Sequence, residues 1–119
     1  MYSVRVESDF AAAHHLTHYH GKCERLHGHN YRVRVRARGE ELGDGGMLLD
    51  FGVLKGALRE VLATLDHADL NAIPAFADDP SAERIARYIF DRLRDRLPDA
   101  PLASVDVYET PTSMARYEP

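Results

Sequence analysis

The chain has 119 residues, of which 45% are hydrophobic, enough apolar mass for a single folded domain over residues 1–119 and too much for a disordered polymer. A formal net charge of −4 argues against nucleic acid as the main partner, since phosphate binding needs a clustered basic face. The lone cysteine, Cys23, excludes an internal disulfide framework, and neither a signal-peptide pattern nor a bilayer-length apolar run is present, so a cytoplasmic protein without membrane partners is expected.

In chain order, Tyr2, Val4 and Val6 alternate with Ser3, Arg5 and Glu7, and the register runs on through Phe10 and Ala12 to His14, which predicts a strand. The polar stretch 15–25 contains Gly21 and has no periodicity, so it reads as a loop. A second strand begins at His27, with His27, His29, Tyr31, Val33, Val35 and Ala37 on one face. Asn30, Arg32, Arg34, Arg36 and Arg38 take the other. Gly43–Gly46 marks a turn, and Met47–Leu49 is short and apolar enough for a further strand. Asp50 can cap a helix whose apolar stripe is Phe51, Leu54, Leu58, Val61, Leu62 and Leu65, ending near Asp66–Ala68. Asn71 and Pro74 act as breakers. Ser81 can cap a second helix that buries Ile85, Tyr88, Ile89 and Leu93 and ends by Pro98. Leu102–Glu109 alternates again, with Val105, Val107 and Glu109 on one side, and Met114–Tyr117 can return as the last strand. The order ββααββ implies an α+β fold with an antiparallel sheet and both helices on one face.

Six of the seven histidines lie between positions 14 and 29. In a strand, His27 and His29 point the same way, and Gly28 between them leaves room for close approach to the backbone. If the first two strands form an antiparallel hairpin, His14 converges on that pair. Three imidazoles with an open position make the pattern of a catalytic zinc, whose full positive charge can polarise a substrate oxygen. Closure by Cys23 as a fourth ligand would instead make the zinc structural. His15, His18 and His20 have no clear face and read as loop residues.

Cys23 sits near Lys22 and Arg25, whose charge favours the thiolate and suits a nucleophile or base; a small buried hydrophobe is the plainer alternative. Asp66–His67 reads either as a helix-terminal pair or as an acid/base pair in which the carboxylate orients the imidazole. Glu109 shares its face with two valines, where a carboxylate is costly unless paired, and its two acceptors could hold an amidine-like ring edge. The arginines at 32, 34, 36 and 38 face away from the histidines, toward Arg5, Glu7 and Asp9, so cross-strand ion pairs are expected.

The chain resembles the 6-pyruvoyl-tetrahydropterin synthase superfamily over nearly its whole length. The likeness runs through Phe10–Leu16 (FAAAHHL), Cys23–Tyr31 (CERLHGHNY), Leu48–Phe51 (LLDF), Leu65–Asn71 (LDHADLN), Pro80–Glu83 (PSAE) and Tyr108–Ser113 (YETPTS). Three residues separate Cys23 from His27, the gap of the branch that makes 6-carboxy-5,6,7,8-tetrahydropterin in queuosine biosynthesis. The resemblance implies the tunnelling (T-) fold, a homohexamer built as a dimer of trimers, and active sites at subunit interfaces. It implies that His14, His27 and His29 hold Zn2+, that Cys23 accepts a proton, and that Asp66 and His67 complete a relay. Glu109 would anchor the pterin, with Ser81 and Glu83 near it, and the arginine face would line the barrel. The implied activity is that of a carbon–carbon lyase: 7,8-dihydroneopterin triphosphate would yield 6-carboxy-5,6,7,8-tetrahydropterin, acetaldehyde and triphosphate. The pyruvoyl-type elimination of triphosphate is the nearest alternative, and a non-catalytic protein with a structural zinc is the alternative of another class. His15 stands where an arginine is frequent in the family, Ala82 where a hydroxyl is frequent, and Glu24 where some relatives carry an acid/base group.

Overall fold

The computed structural model describes residues 1–17, 25–77 and 79–119. Strands β1 (Tyr2–His14) and β2 (His27–Gly39) precede helices α1 (Phe51–Ala63) and α2 (Ala82–Arg96), and strands β3 (Leu102–Thr110) and β4 (Ser113–Tyr117) follow. The four strands form one antiparallel sheet in the order β1-β2-β3-β4. The expected ββααββ plan is therefore the observed one.

Period-two alternation sets the register. Val6 pairs with Val35, Phe10 with Tyr31 and His14 with His27, so the apolar members of both strands share one face. The helices cover that face. Leu54, Leu58, Val61 and Leu62 of α1 and Ile85, Ile89 and Leu93 of α2 are buried against Val33, Val35, Val105 and Val107. The Asp50 carboxylate accepts the Gly52 N–H at 2.7 Å and the Ser81 hydroxyl accepts the Arg84 N–H at 3.3 Å, so both expected caps start their helices. No helix among the described residues is long and apolar enough to cross a membrane.

Three local expectations need correction. Phe51 is 59% exposed: at the first position of α1 it borders an open cleft with Tyr2, Val4 and Leu48 instead of entering the core. Helix α1 stops at Ala63, and residues 64–67 form turns instead of a last helical stretch. Met47–Leu49 forms no strand: Gly45 and Gly46 take left-handed φ values of 69° and 70°, and the chain doubles back. Leu48 then folds against the end of β2, where a Cβ on Gly39 would come within 2.7 Å of Leu48 Cδ1.

Candidate active site

The β1–β2 register brings His14 and His27 directly opposite each other, and His29 follows two residues on, opposite Ala12. All three rings share the face that carries Phe10, Tyr31 and Val33, at the end of the β1–β2 hairpin. His14 is buried; His27 and His29 are half-buried. One ring nitrogen from each lies within 4.8 Å of the others. Beneath them Phe10 and Tyr31 stack with ring centroids 4.7 Å apart, giving the site an apolar floor.

Backbone acceptors fix the outer nitrogen of each ring. His14 Nδ1 donates to the Pro80 carbonyl at 2.8 Å, and His27 Nδ1 donates to the Arg25 carbonyl at 2.6 Å. His29 hydrogen-bonds the backbone of Glu109, while its Nε2 is buried without a partner. The Tyr31 hydroxyl also meets His14 Nδ1, at 3.0 Å, and burial pushes that phenol's pKa up, so it keeps its proton.

This arrangement suits a cation. With both Nδ1 atoms donating, His14 Nε2 and His27 Nε2 face each other at 2.9 Å as two lone pairs, which repel. Protonating a ring would turn the contact into a hydrogen bond. Burial opposes that, holding His14 and His29 below their ordinary pKa. Three inward lone pairs, each backed by an outer hydrogen bond, form a group that can hold a divalent metal ion.

Glu109, at the end of β3, brings a carboxylate oxygen to 3.8 Å from His14 Nε2. A cleft of about 540 Å³ opens there, bordered by His14, Leu16, Ser81, Glu83 and Glu109. So the structure gathers His14, Ser81, Glu83 and Glu109 around one cleft beside the three-histidine group.

Asp66 and His67 lie elsewhere. The Asp66 carboxylate accepts the Ala11 N–H at 2.9 Å and contacts His67 Nδ1 at 3.0 Å. The Ala11 N–H is the main cause of its lowered pKa, with His67 adding to it. His67 has a left-handed φ of 57° and a side chain that is 82% exposed. It borders a separate cleft of about 480 Å³ that shares only His29 with the histidine group. Gly28 borders that cleft too, yet a Cβ there would meet Ala12 O at an ordinary 3.8 Å, so no contact among the described residues requires the glycine. Cys23, along with His18, His20, Lys22 and Glu24, lies outside the described residues.

Sequence patterns missed the supporting shell. The Asp79 carboxylate accepts both the backbone N–H and the hydroxyl of Thr17, at 2.7 and 3.0 Å. Asn71, expected only as a breaker, accepts the His15 N–H at 2.8 Å and donates to the His15 carbonyl at 2.9 Å. Asp79, Pro80 and Ser81 thus hold the chain after β1, orient His14 and cap α2 in succession. The one available signal was the bunching of Asn, Asp, Pro and Ser between the helices.

A family model described as 6-pyruvoyl tetrahydropterin synthase matches residues 3–119. The 6-carboxy-5,6,7,8-tetrahydropterin synthase of Synechocystis sp. is 42% identical over 123 residues, spanning 98% of this chain and 93% of that protein. The human 6-pyruvoyl tetrahydrobiopterin synthase is 37% identical over 121 residues, spanning 98% and 83%. Among solved structures, Caenorhabditis elegans 6-pyruvoyl tetrahydropterin synthase superposes with a TM-score of 0.88 at 30% identity, covering 99% of this chain and 95% of that one. Full-length sequence likeness and a shared fold agree: the chain belongs to the 6-pyruvoyl tetrahydropterin synthase family.

Proposed function

We propose that the chain is a zinc-dependent carbon–carbon lyase that converts 7,8-dihydroneopterin triphosphate and one water molecule into 6-carboxy-5,6,7,8-tetrahydropterin, acetaldehyde and triphosphate. The observation that carries this reading is the set of three inward ring nitrogens beside a carboxylate-bearing cleft. The relatives named for 6-carboxy-5,6,7,8-tetrahydropterin synthesis support it, at 32–42% identity over nearly the whole chain.

Bound to His14, His27 and His29, zinc supplies a Lewis acid for the oxygens of the substrate side chain. Glu109 accepts two N–H bonds from the pterin ring edge and so fixes the side chain relative to the histidines. Ser81 and Glu83 meet polar ring atoms from the lip of the same cleft. Cys23 takes the proton from the substrate side chain. Asp66 orients His67, which passes the proton on. The exposure of His67, on a cleft apart from that of Glu109, supports a homohexameric assembly in which a neighbouring subunit encloses the relay. A cytoplasmic place in queuosine biosynthesis goes with this reading.

The test is to incubate the zinc-loaded protein with 7,8-dihydroneopterin triphosphate and weigh the products. Free acetaldehyde with the carboxy-pterin is expected. A product that keeps the full side chain after triphosphate loss would favour the pyruvoyl reaction, a second reading supported by the 37% identical human relative. Cys23→Ala should retain zinc and lose turnover; joint loss of zinc and fold would mean a structural site closed by sulfur.

A further inference from the structure

The sheet face away from the helices contains a rung whose charges do not balance. Elsewhere on that face opposite charges meet: Glu7 lies across from Arg34 and accepts its Nε–H at 2.8 Å, and Asp106 takes Arg116 through two bonds of 2.6 and 2.9 Å. Asp9 lies across from Arg32. On the odd rung, Arg5 lies directly across from Arg36, and on the other side of Arg36 stands the neutral Ser104. Like charges directly opposite each other destabilise a sheet. Among the described residues, no carboxylate lies within ion-pair distance of Arg5, Arg36 or Arg38. Arg36 Nε is buried and has no hydrogen-bond partner, although such a donor normally finds one. Ser104 is only 1% exposed, although this face has no helix over it.

We propose that this rung binds a tetrahedral oxyanion of the phosphate class, between the guanidinium groups of Arg5 and Arg36 with Arg38 at its margin. The anion cancels the repulsion across the rung and gives Arg36 Nε its missing acceptor. Guanidinium groups present paired donors that match the oxygens of such an anion. A tetrahedral oxyanion, with four oxygens, can serve several guanidinium groups and a serine hydroxyl together, which a single carboxylate does less well. The site is on the opposite face from Glu109 and the three histidines, and it does not depend on the reaction assigned to them.

The probe is inorganic phosphate, titrated into the zinc-loaded, 15N-labelled protein against chloride at matched ionic strength. The Arg36 Nε–H resonance should shift saturably with phosphate and stay still with chloride. Phosphate should also raise the melting temperature of the native chain. Arg5→Gln and Arg36→Gln should each weaken binding about tenfold or more, whereas Glu109→Ala should keep the Arg36 response. Arg5 is exposed, so Arg5→Gln remains informative if Arg36→Gln folds poorly. An Arg36 resonance that ignores phosphate would overturn the proposal, as would phosphate binding by both arginine variants as tight as that of the native chain. A resonance that follows protein concentration instead of phosphate would also overturn it, because a carboxylate from a second copy would then fill the rung.

Discussion

The two faces of β2 are built from alternate residues of one strand and obey different physics. One face carries His27, His29, Tyr31, Val33 and Val35 beneath the helices; the other carries Arg32, Arg34, Arg36 and Arg38 with no helix over it. Under cover, each polar atom needs a stated partner, and the histidines find carbonyls on one side and leave lone pairs on the other. On the open face water can solvate most charges, so ion pairs form only where the register allows. Chemistry therefore concentrates where buried His14 meets the half-buried His27 and His29, between dry and wet surroundings.

Replacing a ligand would break this comparison most sharply. His27→Ala should lose stoichiometric zinc and all turnover while keeping its far-ultraviolet circular dichroism, because His27 is only half-buried. A variant that still held one zinc per chain would show that the three rings do not act together. Next comes the contrast between neighbours on β1. Phe10, 3% exposed and stacked on Tyr31, should cost about 3–5 kcal/mol as Phe10→Ala in denaturant unfolding. The adjacent, exposed Asp9 should stay within about 0.5 kcal/mol as Asp9→Ala. Similar losses at both positions would erase the distinction between the faces.

A subtler probe is Tyr31→Phe, which removes one hydroxyl from His14 Nδ1 and leaves the Pro80 carbonyl in place. Zinc affinity, read by chelator competition, should fall by roughly 10–100-fold with the fold intact. An unchanged affinity would mean that the carbonyl alone orients the ring. The smallest effect is on pH dependence. Burial lowers the pKa of His14 and His29 from the ordinary 6.5, so the unfolded chain takes up protons that the folded chain refuses. Stability of the metal-free protein should hold above that value and decline as the pH falls below it. A metal-free chain whose stability rises on acidification would contradict buried neutral imidazoles.

Much of this was legible in the sequence because alternation is a direct record of which way a strand residue points. It put His14 on the face of Phe10 and Ala12, from which an antiparallel hairpin brings it to His27, and it put Glu109 on the face of Val105 and Val107, which the sheet turns toward the histidines. It failed where local pattern carries no knowledge of distant boundaries. Phe51 fits the helical period, but periodicity cannot say whether the first position of a helix meets the core or an open cleft. Met47–Leu49 is apolar enough for a strand, but the left-handed glycines before it turn the chain away. The acceptors that orient the rings, from Arg25, Pro80 and the Glu109 backbone, were invisible because every residue carries the same main-chain groups. Asp66–His67 reads from the sequence as a helix-terminal pair or an acid/base pair, and nothing in local spacing could reveal that His67 borders a different cleft from Glu109.

The run Asp79–Pro80–Ser81 has a consequence for how this chain can diverge. Three consecutive positions tie together the exit of β1, a ligand ring and the start of α2. Individual side chains there can be exchanged for others of like chemistry, because Pro80 reaches His14 through its main-chain carbonyl. Gaining or losing even one residue would pull the three attachments out of phase together. Over evolutionary time this stretch should therefore tolerate spelling changes while resisting changes of length.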